Sequence, residues 1–415
     1  MSGVSGTDGG AAQVEQVFRE AYGAALATLV RFTGDIDVAE DAVQDAFVVA
    51  SDKWRKHGIP TNPAGWIITT ARNRVIDGWR RARRGSELYQ EVGVLLSNEL
   101  PEDEGPVMDD RLRLIFTCCH PSLRMEHRVA LTLRLLGGLS LEEVARSFLV
   151  TDAAMAKRLV RAKFKIKAAG IPYRIPKDAD IPDRLLSVLA VLYLIYNTGA
   201  DSSGRVSLRR EAIRLTRVLV DLMPDEPESL GLLALMLLNE ARMSARTSGP
   251  DLVLLRDQDR ERWDRRLIVE GQDIVRRFVP MGRPGQYQIQ AAIQAVHCEA
   301  LTFEETDWNQ IAALYDQLYA LTPTPVVALN RAIAMSEVAG PESGLIALDA
   351  IGSALDSYHL MHATRGTTLR RLGRLPEARL AFQRAADLAV AESDKRFIAR
   401  QIEKLGERLN DHVEG

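Results

Sequence analysis

The stretch Leu139–Lys167 reads LSLEEVARSFLVTDAAMAKRLVRAKFKIK, and its two halves decide the fold. Leu141, Val144, Ala145 and Phe148 recur at i, i+3, i+4 and i+7, which places them on one face of a short helix. Leu149 and Val150 break that pattern, and Thr151 and Asp152 offer side-chain oxygens to the first N–H groups of a second helix. Met155, Leu159, Ala162 and Ile166 form the inner stripe of the second helix, and Lys157, Arg158, Arg161, Lys163, Lys165 and Lys167 lie mostly outside it. A short helix, a tight turn and a cationic second helix suit the DNA major groove. Phosphates would supply the affinity, and the first residues of the second helix would reach base edges. A helical hairpin with a solvated lysine face carries the same pattern.

Upstream, the charge is segregated. Thr33–Phe47, TGDIDVAEDAVQDAF, contains Asp35, Asp37, Glu40, Asp41 and Asp45 and no basic residue. Between positions 51 and 84 the sign reverses: Lys53, Arg55, Lys56, Arg72, Arg74, Arg80, Arg81, Arg83 and Arg84 face only Asp52 and Asp77. An acidic helix beside a basic one suits two ligands, a protein partner for the first and nucleic acid for the second. The net charge of −3 over 415 residues averages these features away.

These residues resemble a known family. Asp37–Phe47, DVAEDAVQDAF, is similar to the polymerase-binding helix of the second domain of bacterial sigma-70-type factors, and Trp66–Arg81, WIITTARNRVIDGWRR, to the promoter −10 helix of that domain. Leu139–Lys165 looks like the fourth sigma domain, which reads the −35 element. Order and spacing match the short extracytoplasmic-function class over about residues 10–170, and the long C-terminal half resembles the tetratricopeptide-like extension of one subset.

The resemblance implies that core RNA polymerase, through an arginine-rich coiled coil of its large β′ subunit, meets Asp41, Gln44 and Asp45, with Ala42, Val43, Ala46 and Phe47 partly packing. It implies that Arg72, Asn73, Arg74, Arg80, Arg81 and Arg84 hold promoter DNA at −10, and that the loop His57–Gly65 captures a flipped base. Trp66 and Trp79 could stack on bases, although core packing accounts for them as well. Thr151, Ala153, Ala154, Lys157, Arg158 and Arg161 would face the −35 major groove. The family turn often has Gly where Leu149 stands, and Ala153 and Ala154 offer little hydrogen bonding, so shape and phosphate contacts would dominate there.

The expected architecture is all-α. Residues 1–12 form a Gly/Ser-rich disordered lead-in, 13–85 a three-helix bundle and 86–110 an acidic linker without Lys or Arg. Residues 111–170 form the helix-turn-helix module and 171–182 a proline-rich hinge. Residues 183–415 form a helical array. Its last part repeats at 34 residues: Ala332 matches Gly366, Gly344 matches Ala378, Leu348 matches Phe382 and Ile351 matches Ala385. That is the tetratricopeptide period, and a stacked array offers a groove to a protein or peptide.

No chemistry-bearing motif accompanies these helices, so no enzyme activity, cofactor or metal is expected. Cys118-Cys119-His120 lacks a second ligand pair, and His297-Cys298 reads as core. Asp257, Asp259, Arg260 and Trp263, in a charge-dense segment with one large aromatic, are expected to dock the extension onto the sigma core or polymerase; a solvated amphipathic helix is the other reading. Three cysteines, no apolar leader and no apolar run of spanning length point to the cytoplasm and away from membranes. The expected function is promoter-specific initiation. The rival is a helix-turn-helix regulator that senses a ligand or protein through its C-terminal array.

Overall fold

The computed structural model describes residues 8–83, 106–148, 150–200, 206–248 and 251–411. Among the described residues it is all-α apart from one antiparallel pair of two-residue strands, and the chain divides into two compact units, 1–222 and 223–415.

In the first unit, α1 (Asp8–Thr33), α2 (Ile36–His57) and α3 (Pro63–Arg83) form a three-helix bundle. Local chemistry sets the boundaries. Gly34, at φ 69°, ends α1. The Asp35 carboxylate accepts from the N–H groups of Asp37 and Val38 at the start of α2, and Asn62 Oδ1 accepts from Gly65 at the start of α3. The second module runs α4 (Pro106–Cys118), α5 (Met125–Leu131) with a π turn over Thr132–Leu136, α6 (Leu141–Ser147) and α7 (Asp152–Ala168). Helices α8 (Ile181–Ala200) and α9 (Val206–Leu222) complete the unit.

Residues 21–30 of α1 are buried on every face, because α2 and α3 cover one side and α4 and the π turn cover the other. Gly23 permits that approach: a Cβ there would lie 2.8 Å from the Leu136 carbonyl oxygen. The two sigma-like modules therefore share one core.

Four expectations about the chain's divisions change. The helix begins at Asp8, within the expected lead-in; residues 1–7 lie outside the described residues. The end of the expected linker, Pro106–Asp110, is the first turn and a half of α4, and Asp110 is wholly buried between Arg31 (3.3 Å) and Arg113 (4.0 Å); residues 86–105 lie outside the described residues. The expected hinge is anchored: Ile171 is buried and Tyr173 Oη lies 2.7 Å from the Ala27 carbonyl oxygen. The boundary between units falls after Leu222 rather than after residue 182, because α8 packs on α4 and α5.

The second unit comprises α10 (Pro227–Ala241), β1 (Thr247–Ser248), β2 (Asp251–Leu252), α11 (Arg265–Phe278), α12 (Gln286–Glu299), α13 (Trp308–Leu321), α14 (Pro325–Val338), α15 (Pro341–Ile351), α16 (His359–Arg371), α17 (Leu375–Leu388) and α18 (Glu392–Asp411). Leu230–Leu238 is buried throughout, with Gly231 against the Gln288 backbone where α10 meets α12. The hairpin α14–α15 begins at Pro325 and α16–α17 at His359, 34 residues later. Gly344 packs on Ser336, and Gly366 on Phe382, so the small residues stand where paired helices come closest.

Candidate nucleic-acid interface

The helix-turn-helix is built from two capped helices. Ser140 and Glu143 form a reciprocal capping box on α6: Glu143 N–H donates to Ser140 Oγ (3.2 Å), and Ser140 N–H donates to Glu143 Oε2 (2.8 Å). The N–H of Ala154 donates to Thr151 Oγ1 (3.3 Å) at the start of α7. Met155, Leu159, Ala162 and Ile166 are buried as the periodicity requires. Leu149, the departure from the family turn, lies outside the described residues.

Thr151, Ala153, Ala154, Lys157 and Arg161 stand together on the exposed side of α7. Arg158 is half-buried, with its guanidinium 5.0 Å from the Phe148 ring centroid, so it braces α6 against α7 while its edge stays within reach of solvent. Val160 and Phe164, at 66 % and 71 % exposure, add an apolar strip to the same helix.

On α3, Asn73, Arg74, Arg80 and Arg81 are exposed. Arg80 lies 3.7 Å from Asp77 and Arg81 Nε donates to the Asp77 carbonyl, which holds both near the helix. Arg72 is half-buried and lies over the Phe32 ring at 5.2 Å. Trp79 stacks on Phe32 at 5.5 Å, and Trp66 meets Trp54 edge-on at 5.5 Å. Both tryptophans pack in the bundle. Arg84 lies outside the described residues.

On α2, Asp41 and Asp45 are exposed and Gln44 is half-buried, while Ala42, Val43, Ala46 and Phe47 are buried. Asp45 accepts from Arg74 Nη1 at 2.7 Å, so a residue expected to meet polymerase and one expected to meet DNA pair with each other.

Three residues that sequence reasoning did not assemble join the modules. Glu40 is 6 % exposed; it accepts from Arg134 (2.7–2.8 Å) and from Lys163 (2.6 Å), and Lys163 also reaches Asp37 (2.7 Å). Burial by itself would lower the Lys163 ammonium, but the Glu40 and Asp37 carboxylates outweigh it and hold its pKa above the usual value. Lys163 thus leaves the solvated basic face expected for it. A signal was present: Glu40 lies on the stripe of Ala39, Val43, Ala46, Phe47 and Ala50, and a carboxylate on a buried face needs a cation.

The C-terminal segment expected to dock is divided. Asp257 and Asp259 are exposed, but Arg260 and Trp263 are buried at 7 % and 3 %. The Arg260 guanidinium donates to the carbonyls of His297 (2.8 Å) and Ala300 (2.6 Å) and to Thr306 Oγ1 (3.2 Å), and lies 4.8 Å from the Trp263 ring centroid. These two residues belong to the unit's interior, and the segment forms two short 3-10 turns, Leu255–Asp257 and Arg260–Arg262, rather than a solvated amphipathic helix. Nearby, Asp251 pairs with Arg396 (3.5 Å) and Arg400 (2.8 Å) of α18, and Arg256 lies 3.9 Å from Glu337 of α14. The strand pair and the turn after it are therefore tied to the helical hairpins.

Among the described residues there is no cluster of three or more His, Cys, Asp or Glu able to hold a metal, and no helix is long and apolar enough to cross a membrane. Cys118, Cys119 and Cys298 are buried; burial pushes the Cys119 and Cys298 thiols up to about 11.

A three-helix module with acidic and cationic faces followed by a helix-turn-helix is the arrangement of sigma-type transcription factors, and the comparisons point the same way for the first module. Residues 17–85 match the sigma-70 region 2 family, and residues 184–279 match a family of unknown function (DUF6596) that spans the junction between the units. The ECF RNA polymerase sigma factor SigL of Mycobacterium tuberculosis is 28 % identical over 163 residues, 38 % of this chain and 90 % of that protein. Uncharacterized protein R00370 of Rhizobium meliloti is 42 % identical over 395 residues, 92 % of this chain and 93 % of that protein. The chain belongs to one family with the Rhizobium protein, and the sigma-70 region 2 match over residues 17–85, with the similarity to SigL, supports a sigma-factor role in transcription initiation.

Proposed function

We propose that this chain binds core RNA polymerase and directs it to promoters by reading a −10 element with α3 and a −35 element with α7. The observation that carries the reading is the division of exposed charge among three helices: Asp41 and Asp45 on α2, Asn73 to Arg81 on α3, and Thr151 to Arg161 on α7. Polymerase takes the acidic surface. The cationic surfaces track phosphates, and the loop His57–Gly65 receives a base from the opened strand. Trp66 and Trp79 are half-buried and engaged with Trp54 and Phe32, so the arginines and the loop are the principal means of holding the −10 strand.

The C-terminal unit is a tetratricopeptide-like array that modulates initiation through a protein or peptide partner. With Arg260 and Trp263 in the interior, the exposed Asp257 and Asp259 are what that segment offers for docking. Run-off transcription with purified core polymerase, this chain and its own upstream region tests the reading. Transcripts that depend on the chain support it. DNA binding without co-purification of core polymerase would favour a conventional helix-turn-helix regulator.

A further inference from the structure

One segment of the C-terminal unit lies across the helical array instead of within it. Helices α14 and α16 open the two hairpins that repeat at 34 residues, and Glu337 of α14 and Arg371 of α16 are repeat equivalents that pair with each other at 2.6 Å. Arg256 reaches the same Glu337 at 3.9 Å. On α18, Arg400 (2.8 Å) and Arg396 (3.5 Å) hold the Asp251 carboxylate, and α18 is joined to α16 by Arg370 donating to Gln401 (2.6 Å). Asp251 to Arg256 therefore forms a strap from α18 to α14. Crossing two helix spacings of about 8–10 Å each in so few residues takes an extended chain, whose reach over this length is about 17 Å. Strand β2 and Leu254 have that extended backbone.

Stacked hairpins present a continuous face to an extended peptide, and the strap lies where such a peptide would. Its grip on α18 is electrostatic and shallow: Asp251, Arg396 and Arg400 are 33–44 % exposed, and ion pairs in water are weak. Its far end is fixed, because Leu255 packs against the cluster around Trp263. The face is not fully covered. Val326 and Leu360 stand about three helical turns before Glu337 and Arg371 on the same faces of α14 and α16, and they are 46 % and 44 % exposed. We infer that Asp251–Arg256 is a self-docked ligand of the array, and that the partner which displaces it is an extended acidic segment of another protein, with a carboxylate to replace that of Asp251 between Arg396 and Arg400. This deepens the reading of the C-terminal unit given above and rests on it. A tethered segment competes at an effective concentration of about a millimolar, so weak binding in cis keeps the site filled. A partner that also covers Val326 and Leu360 makes contacts the strap does not, and those contacts let it win the site.

The test uses the full chain and a fluorescein-labelled peptide of the strap sequence, DLVLLRDQD (Asp251–Asp259). Fluorescence anisotropy gives its affinity for the wild-type chain and for Asp251→Lys, which sets an ammonium against Arg396 and Arg400 and lifts the strap. A self-docked strap predicts that the variant binds the peptide about tenfold more tightly than wild type, because the tethered competitor is gone. Adding Arg396→Ala and Arg400→Ala to the variant should abolish that gain, and a peptide carrying Asp251→Lys should bind none of the chains. Circular dichroism checks folding, and Asp251→Asn replaces Asp251→Lys in the chain if the latter misfolds. Equal affinity of wild type and the folded variant would overturn the proposal. So would a gain that survives the loss of both arginines, or the absence of binding to either chain. Peptide binding is read without polymerase, so it stands or falls apart from run-off transcription, which tests the reading as an initiation factor.

Discussion

At the scale of single residues, two buried groups in the C-terminal unit show how composition misleads. Arg260 has the sequence surroundings of a solvated charge, yet it serves two carbonyls at the C-terminal end of α12, about 40 residues downstream. Arg260→Ala leaves those carbonyls without donors, a loss of about 2–4 kcal/mol in stability for this unit. Arg260→Lys recovers only part of it, because an ammonium lacks the planar fork. Chemical denaturation of the three proteins measures this; an Ala variant as stable as wild type would mean that the carbonyls find water. His297 is buried against Trp308 with ring centroids 5.2 Å apart. Burial, with help from Arg242 and Arg260, lowers its pKa to about 3 from 6.5. The unfolded chain then takes up this proton first, so stability falls as pH drops from about 6.5 towards 3, by up to about 1.4 kcal/mol per unit. His297→Gln should flatten the slope of unfolding free energy against pH in that window. Parallel slopes would contradict the burial.

At the scale of helices, α2 and α7 each carry a separable prediction. Asp41→Lys with Asp45→Lys reverses charge on exposed positions, so folding should change little and co-purification with core polymerase should be lost. The Asp45 change also frees Arg74; an Arg74→Ala control separates the two effects. On α7, Arg161→Ala should lower duplex affinity and reduce its salt slope by about one phosphate contact, with stability unchanged. Arg158→Ala should lower both affinity and stability, because the guanidinium also braces Phe148. Salt-dependent binding beside thermal melts distinguishes the pair; identical behaviour would mean that the cation–π contact adds nothing.

At the scale of the whole chain, the position of the unit boundary changes where it can be cut. Helix α8 is tied to the second module by Arg184 donating to the Phe116 carbonyl (2.6 Å) and by Arg128 donating to Ser187 (2.8 Å), and Leu185, Val188, Leu189 and Leu192 are buried. Residues 1–222 should therefore fold cooperatively on their own. Residues 1–182 should be destabilised and prone to aggregate, because the cut exposes the apolar face that α8 covered. Thermal melts and size-exclusion profiles compare the two; equal stability would place α8 outside the first unit. Only the 1–222 form is a fair test of what the C-terminal unit adds to transcription.

Sequence by itself determined the all-α class, several helix ends of the first unit and the inner stripe of α7. Those features depend on local rules: Asn62 and Thr151 as caps, Gly34 as a stop, and the inner stripe Met155–Leu159–Ala162–Ile166. The 34-residue offset of the final hairpins was legible for the same reason, since small residues recur where paired helices meet. Which charges face water was not legible. Lys163 and Arg260 look like their neighbours in sequence, and their burial depends on Glu40 more than 100 residues away in one case and on the turn after His297 in the other. The place where the first unit ends was hidden too, because α8 is as apolar as a helix of either unit and only its packing on α4 and α5 assigns it. Periodicity records that a face is buried, and only the tertiary structure decides against what.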